Sequence, residues 1–170
     1  MESISVQRRG ALARASRDTC KLELHDYYGA DKEDLKLFLA ADLDAVAASY
    51  RQWADKVEEK ERGGRHLRRV RLISEPLSDY QRMSVRYSGM AVDAGEDLRW
   101  LPRRLASALV VPANDMFVLD GKFAMFNVLD GNGERADIQL TDDPAIVARC
   151  LEVFEVAYAV AIPHREYHPA

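Results

Sequence analysis

The chain has 170 residues, of which 48% are hydrophobic and 31% are charged, and its formal net charge is −4. This length suits a single domain that buries a core without disulfides or metals. No stretch approaches the roughly 20 apolar residues of a membrane span, and the net acidity argues against a general nucleic-acid binder. The Arg-rich start is not a secretory signal, and Cys20 and Cys150 lie too far apart to indicate a disulfide scaffold or zinc site, so we expect a cytoplasmic protein.

The first third of the chain predicts helices around one short strand. Residues 5–16 have the basic, alanine-rich pattern of a short helix, and CKLELHDYY alternates like a strand. Asp31 is a candidate N-cap for the helix KEDLKLFLA, and apolar residues at helical spacing predict a long helix over residues 43–62. The pair Gly63-Gly64 ends that helix. We interpret residues 1–62 as a helical N-terminal segment that packs on the rest of a single folding domain.

Residues 63–163 predict an α/β body. The stretch RHLRRVRLIS alternates between two faces and predicts a strand near the middle of a sheet. Ser78 and Gln81 form a capping-box signature before a helix, and DLRWLP is a second strand that Pro102 stops.

The second half of the body predicts an antiparallel meander followed by a helix. MFVL, FAMFNVL and ADIQL are three strands joined by the turns DG and DGNG. Asp143 as N-cap and Pro144 at the first helical position begin the closing helix. The predicted fold is therefore α/β, a mixed sheet with helices, and residues 164–170 are a tail.

Three motifs with specific spacing carry a family resemblance: SEPLSDY, AGEDLRWLPR and DDP. From KLELHDYY onward, the chain resembles an uncharacterised actinobacterial family that is often encoded beside helix-turn-helix regulators. The resemblance implies no activity. It implies a regulatory role, with a helix-turn-helix protein as the candidate partner.

A more distant resemblance concerns the order of elements. Strand RVRLIS, a helix, strand DLRWLP, strand FVLDGK and a last helix are similar to one half of a phospholipase D-like domain. In that superfamily a histidine attacks the phosphate, a lysine two residues on binds its oxygens, and an aspartate five residues after the lysine completes the motif. Aligning that aspartate with Asp120 places Ala113 at the histidine position and Asp115 at the lysine position.

This alignment argues against phospholipase D-type catalysis. No His, Lys or Arg occurs anywhere from Leu105 to Leu119, so the nucleophile and the phosphate-binding cation are both missing. We interpret Asp120 as the first residue of a hairpin turn, because Asp-Gly is an expected hairpin pair. We expect no catalytic residue and no cofactor.

Two further motifs have a functional and a structural interpretation. HREYH could place His164 and His168 on one helical face as metal ligands, but Pro163 and Pro169 bracket them near the chain end, so we interpret it as a fraying tail without a metal. The basic run RGGRHLRRVR could follow a phosphate backbone. Half of that run lies on a strand that also serves the core, so we expect no direct nucleic-acid binding.

The richest polar cluster combines SEPLSDYQR with AGEDLRWLPRR, on loops that follow predicted strands. Ligands of open α/β sheets bind at the carboxyl ends of the strands, and Arg, Trp and Tyr are common in protein-binding hot spots. If these loops form a binding surface, Arg82, Trp100 and Arg103 should be partly exposed and close together. The alternative is an ion-pair network that caps the sheet, with Trp100 in the core. The candidate binding residues are Glu75, Asp79, Tyr80, Arg82, Glu96, Trp100 and Arg103.

Two functions stay open. The first is a non-catalytic binding module, either a regulatory partner of a DNA-binding protein or a small-ligand sensor, for which a homodimer is also open. The second is an enzyme that uses Glu75, Glu96 or Asp79 as acid or base, beside arginines that hold an anionic substrate. A buried carboxylate with a raised pKa in a closed pocket would favour the enzyme, and a flat patch with an apolar rim would favour the binding module.

Overall fold

The computed structural model describes residues 1–169. Within this range the chain forms five α-helices and one mixed sheet of eight strands, which confirms the α/β class. The helices are α1 (Val6–Ala15), α2 (Lys32–Leu39), α3 (Leu43–Arg62), α4 (Asp79–Asp93) and α5 (Pro144–Val160). The strands are β1 (Glu2–Ser3), β2 (Asp18–Glu23), β3 (His66–Ile73), β4 (Asp97–Pro102), β5 (Asp115–Leu119), β6 (Phe123–Leu129), β7 (Arg135–Thr141) and β8 (Ile162–Pro163).

The strand order across the sheet is β1-β7-β6-β5-β2-β3-β4-β8. Strands β2, β3 and β4 are parallel to one another, and β5, β6 and β7 form the predicted antiparallel meander. Strand β3 lies between β2 and β4, which confirms its predicted place near the middle. Helices α2 and α3 connect β2 to β3, and α4 connects β3 to β4, so these crossovers cover one face of the sheet.

Helix α5 covers the other face, whose centre is apolar. Its Phe154 is fully buried against side chains that point down from the central strands, among them Leu22, Val70, Leu101 and Met116. The helix begins as predicted, because the Asp143 side chain accepts the backbone N–H groups of the first turn and a proline follows it. This face holds the largest hydrophobic cluster of the described residues.

The face under α1, α3 and α4 is apolar only at its two sides. One side lies under α1, where Leu12 packs on Phe117 and Ile138. The other side lies under α4, where Ile73 and Trp100 are buried. Between these two clusters the strands present charged side chains, and the candidate site is built there.

The N-terminal segment is more than the helical layer predicted for residues 1–62. Strand β2 belongs to this segment, yet it lies between β5 and β3 at the centre of the sheet. The pair Gly63-Gly64 does end α3, and Gly64 has a φ of +65°, as the end of a helix requires. That turn is a bend inside the domain, because the sheet continues on both sides of it.

The predicted tail, residues 164–170, is ordered over its first part. Strand β8 pairs with β4, and a short 3₁₀ turn at His164–Glu166 follows it. The expectation of fraying is wrong for this part because the buried indole of Trp100 needs an acceptor: its Nε1 donates to Nδ1 of His164 at 2.9 Å, and Tyr167 stacks on the same ring. Ala170 lies outside the described residues.

The hairpin between β5 and β6 confirms the interpretation of Asp120 as a turn residue. Asp120 and Gly121 have φ values of +53° and +62°, the left-handed pair that a tight hairpin turn of this type uses. The Asp120 side chain also accepts the backbone N–H groups of Arg17 (2.8 Å) and Asp18 (2.9 Å). Asp120 therefore joins the hairpin to the start of β2, a role that the sequence did not indicate.

Candidate functional site: a charged cavity on one face of the sheet

A cavity of about 310 Å³ lies between the charged part of the sheet and helices α2 and α3. Its floor is made by alternate residues of two parallel strands. Lys21 and Glu23 point up from β2, and Arg69 and Arg71 point up from β3, because side chains two apart on a strand share a face. The register pairs Lys21 with Arg69 and Glu23 with Arg71, so the four charged groups form a compact square.

Glu23 is the centre of this square. Its Oε1 forms an ion pair with Nζ of Lys21, and its Oε2 lies 2.8 Å from Nε of Arg71 and 3.6 Å from Nη1 of Arg69. Burial raises the pKa of Glu23, but Lys21, Arg71 and Arg69 outweigh burial and hold that pKa well below its usual range. Glu23 therefore stays ionised at any ordinary pH.

A second buried carboxylate neutralises Arg69. Nη2 of Arg69 donates to Oε2 of Glu96 at 2.7 Å, and Nε of Arg69 lies 2.5 Å from Oε1 of this carboxylate, whose side chain is 0% exposed. Nε1 of Trp53 donates to the same carboxylate at 3.0 Å. Arg69 is thus fully engaged in holding α3 to the sheet, and it has little capacity left for a ligand.

The cavity has a cationic end around the ring of Phe117. The Cζ of Arg9, from α1, lies 5.1 Å from the ring centroid, and Nζ of Lys21 lies 5.2 Å from it. Arg9 donates through Nε to Oδ1 of Asn127 at 3.3 Å, and it forms no ion pair within residues 1–169. Burial and the nearby Arg135 lower the pKa of Arg9, as expected where positive charge is in excess.

The opposite wall is acidic. Asp31 stands at the N-cap position of α2 as predicted, but its side chain does not cap the helix; Oδ2 instead accepts the hydroxyl of Tyr80 at 2.6 Å. Asp34 accepts the hydroxyl of Ser49 at 2.9 Å, and burial followed by the nearby Asp31 raises its pKa. Neither carboxylate is paired with a Lys or Arg among the residues that the structure describes.

A third acidic residue, Asp115, lines the cavity from β5. Its Oδ1 accepts the backbone N–H of Leu24 at 2.8 Å and lies 3.8 Å from Nε2 of His25. Burial, and then the charge of Glu23, raises the pKa of Asp115 above its ordinary value. Asp115 is the residue that the phospholipase D alignment placed at the lysine position, and here it supplies a carboxyl group instead.

A scan against family models matches residues 7–169 to a domain of unknown function, DUF6879. The chain belongs to this family. A search of curated proteins found no match. The DUF6879 match spans almost the whole chain, so the cavity and every residue described above lie within the family domain.

The candidate binding residues predicted from the DUF6879 sequence do not form one cluster. Tyr80 and Glu96 do not line the cavity, but each binds residues that do: Tyr80 lies between Asp31 and Arg71, and Glu96 holds Arg69. Glu96 precedes β4, whereas Arg103 follows it, so these two residues lie at opposite ends of that strand. The loops that follow β3 and β4 contribute no residue to the cavity lining, whereas the loop that follows β2 contributes Tyr28, Ala30 and Asp31.

The remaining predicted residues are held in local contacts outside the cavity. Arg104 and Tyr167 both bind Glu75, at 2.9 and 3.0 Å. Asp79 and Arg82 form an exposed ion pair one helical turn apart, at 2.7 Å. Arg103 donates to the backbone carbonyl of Leu24 at 2.6 Å, just beyond the end of β2.

The expectation that Trp100 is partly exposed beside Arg82 and Arg103 is wrong. Trp100 is 1% exposed, because it lies under α4 with Ile73 and Leu98 and its indole N–H is bound by His164. No hydrogen bond or ion pair joins these three residues within the described part of the chain. For Trp100 the alternative interpretation, a ring in the core, is the one that the structure shows.

Sequence reasoning missed the cavity residues Arg9, Lys21, Glu23 and Asp115. The signal was present in the strand KLE, where two charged residues flank a buried leucine, and in the RRVR part of β3. Charged residues that alternate with apolar ones normally face solvent. Only the pairing of β2 with β3, and the helices above them, place these charges inside.

The basic run RGGRHLRRVR is divided between the two faces of the sheet. Arg68 points to the α5 side and pairs with Glu155 at 2.7 Å, whereas Arg69 and Arg71 point into the cavity. Arg62 pairs with Glu58 within α3. The run therefore forms no continuous basic stripe, and the expectation of no direct nucleic-acid binding stays a prediction.

Within the described range, residues 1–169, no helix has the length and apolar character needed to cross a bilayer. The same range holds no group of three or more His, Cys, Asp or Glu side chains arranged to take a metal ion.

Proposed function

We propose that this DUF6879 domain is a cytoplasmic binding module that senses a small anionic ligand in the charged cavity. The observation that carries the proposal is the square of Lys21, Glu23, Arg69 and Arg71 on a sheet face whose two sides are apolar; Lys21 is half-buried and the other three are buried. The cavity volume of about 310 Å³ lies at the lower end of the roughly 300–1,000 Å³ that ligand pockets occupy.

Stability alone does not explain these charges. Removing an ion from water costs several kcal/mol, and apolar side chains of similar size are often equally or more stabilising than a buried ion-pair network. A chain under selection for stability only would be expected to continue the apolar clusters of Phe117 and Trp100 across this face. Buried charges beside a cavity are instead what a polar ligand requires.

The excess positive charge indicates where an anionic group would bind. Lys21 and Arg71 share one carboxylate, Glu23, and Arg9 has none. An anion between Arg9 and Lys21 would offset this excess and would accept charge-assisted hydrogen bonds. Because Arg9 belongs to α1, which has no fully buried residue, ligand binding would also hold α1 on the sheet.

The proposal is tested by thermal denaturation and calorimetric titration with inorganic phosphate and with small mono- and dicarboxylates. At least one probe should raise the melting temperature of the wild-type protein. Arg9→Gln should abolish most of that rise. The matched control is Arg8→Gln, because Arg8 is the preceding residue of α1 and pairs with Glu2 at the surface.

If no anion in the set binds, or if Arg8→Gln and Arg9→Gln respond alike, the cavity is not an anion site.

A ligand sensor also needs a partner protein that responds to it, and the resemblance to a family encoded beside helix-turn-helix regulators supports such a regulator as partner. Co-purification of the two proteins with and without the identified anion tests that role, and sedimentation of the domain alone tests a homodimer. The likeness to half of a phospholipase D-like domain stays a prediction about the topology of the fold.

Asp115 favours a second candidate, an enzyme acting on the bound anion. Asp115 is a buried carboxyl group at a cavity wall with a pKa raised above its ordinary value, which suits a group that takes or gives a proton. In this hypothesis Asp115 replaces Glu75, Glu96 and Asp79 as acid or base, since Glu96 is engaged by Arg69 and Trp53. Turnover of a bound anion that Asp115→Asn abolishes, with binding retained, would establish the enzyme.

A further inference from the structure

The two ends of the cavity have unpaired groups of opposite charge. At one end, Arg9 forms no ion pair within the described residues, and Lys21 shares Glu23 with Arg71. An anion bound there would be attracted by two cations that are both partly shielded from water.

At the acidic wall the unpaired groups are acceptors. Asp31 and Asp34 each use Oδ2 for a hydroxyl group, from Tyr80 and Ser49, and no hydrogen bond to either Oδ1 occurs within residues 1–169. Burial, and then the charge of Asp31, raises the pKa of Asp34, because no cation of the described range pairs with these two carboxylates to stabilise their ionised forms. Such a wall attracts an ammonium or guanidinium group.

The space between the two ends is bounded partly by rings. Tyr50 and Trp53 project from α3 into the lining of the cavity, and Tyr28 lies below them over Arg71. Aromatic walls suit a short apolar linker better than a third charged group. A ligand with one charge would leave one end uncompensated, whereas a ligand with opposite charges at its two ends compensates both.

We propose that the ligand is a small linear zwitterion whose carboxylate lies between Arg9 and Lys21 and whose ammonium group lies against Asp31 and Asp34. This inference rests on the proposed function, because it specifies the ligand class of the same cavity. It differs from that proposal by requiring a cation at the second end.

A series of linear ω-amino acids of increasing length tests the inference, since chain length measures the span between the two ends. Each length is compared with its N-acetyl derivative, which lacks the positive charge, and with its methyl ester, which lacks the negative charge. Calorimetric titration should find one preferred length, and each derivative of that length should bind at least about tenfold more weakly, as expected for the loss of a charge-assisted contact.

Three variants assign the two ends. Arg9→Gln should remove the preference for the free acid over the methyl ester, and Asp34→Asn should remove the preference for the free amine over the N-acetyl derivative. Glu33→Gln is the control for Asp34→Asn, because Glu33 precedes it on α2 and pairs at the surface with Lys36. This control should bind like wild type.

The inference is overturned if the derivatives bind as well as the free amino acids, or if no length binds. In that event, binding of phosphate or a dicarboxylate that depends on Arg9 would leave the proposed anion sensor standing. Absence of both kinds of binding would remove the proposed function as well.

Discussion

The two faces of the central sheet are built from the same strands but follow different rules. On β2, Leu22 points to α5 and is completely buried among apolar side chains, whereas the next residue, Glu23, points into the cavity and holds three cations. On β3, Val70 and Arg71 make the same contrast. Adjacent residues of one strand thus serve two purposes, packing on one face and charge on the other.

This difference shows where the stability of the domain comes from. Burying a large apolar side chain contributes about 1.5–3 kcal/mol, and the α5 face contains many such side chains around Phe154. The charged square contributes little net stability, because ion pairing mainly offsets the cost of removing the ions from water. The apolar contacts of the α5 face therefore provide most of the stability of the fold, and that stability allows the cavity face to carry buried charges.

The largest expected effect comes from breaking the charged square. Glu23→Gln leaves Lys21 and Arg71 buried without their counter-ion and should destabilise the protein by about 3–5 kcal/mol. Denaturant unfolding measures this, and Glu155→Gln is the control, because Glu155 forms an exposed pair with Arg68 on the other face and should cost about 0–1 kcal/mol. Equal costs for the two variants would mean that the square is solvated and that the two faces do not differ in this way.

The same substitution has a pH signature. The folded pKa of Glu23 is depressed, so its contribution is complete above the unfolded value of about 4.3 and is lost as pH falls from there towards the folded value. The stability difference between wild type and Glu23→Gln should therefore be constant near neutral pH and narrow below about pH 4. Unfolding curves of both proteins between neutral and acid pH check this, and a gap that widens on acidification would contradict it.

A slightly smaller effect is expected from the neighbouring residue on the apolar face. Leu22→Ala removes buried methyl groups and leaves a cavity under α5, so it should cost about 2–5 kcal/mol. The loss should not depend on pH between neutral and acid pH, because the apolar groups around Leu22 carry no charge and burial raises the pKa of the nearby Cys20 and Cys150 thiols. Comparing the pH profiles of Leu22→Ala and Glu23→Gln tests the contrast between the faces at two successive positions.

An intermediate effect is expected where a polar contact closes the apolar side under α4. Trp100→Phe keeps most of the ring but removes the N–H that binds Nδ1 of His164, which should cost about 1–3 kcal/mol. Tyr167→Phe, which removes only a hydroxyl group bound to Glu75, should cost less. Thermal unfolding of both variants would show whether the C-terminal segment is held by this indole contact, and equal losses would argue that stacking holds it.

The smallest effect is expected at the hairpin, outside both faces. Asp120→Asn keeps a side-chain oxygen for the N–H groups of Arg17 and Asp18 and tolerates the left-handed backbone, so the stability should change by about 0.5 kcal/mol or less. A loss several times larger would show that the charge of Asp120, and not only its geometry, joins the hairpin to β2.

The positions of the elements were largely predictable, whereas the site was not. Local signals such as the capping box at Ser78 and the Asp-Gly turn at Asp120 depend on neighbours in sequence, and the structure confirms both. The cavity depends on a register between strands that are separated by two helices. Nothing in the sequence near Lys21 indicates that Arg69 will lie beside it, so the sequence predicts a strand here but not a charged cavity.

The candidate binding cluster failed for a related reason. Ligands often bind at the carboxyl ends of parallel strands, and this rule favours the loops after β3 and β4. The arginines of those loops instead form contacts within the chain. Arg103 holds the backbone carbonyl of Leu24, so an Arg82→Ala, Arg103→Ala double variant would lose a structural contact as well as an exposed ion pair. We therefore expect the melting temperature of that double variant to fall.

The central position of β2 also bears on how the chain is made. During synthesis, β2 can pair with β3 once residues 66–73 have left the ribosome, but its other edge has no partner until residues 115–119 emerge. A nascent chain of intermediate length therefore exposes a strand edge in the middle of its future sheet, a surface on which unfinished chains can associate. The sheet can be completed only after the meander β5–β7 has been synthesised. The last step of folding in this domain therefore depends on a late step of its synthesis.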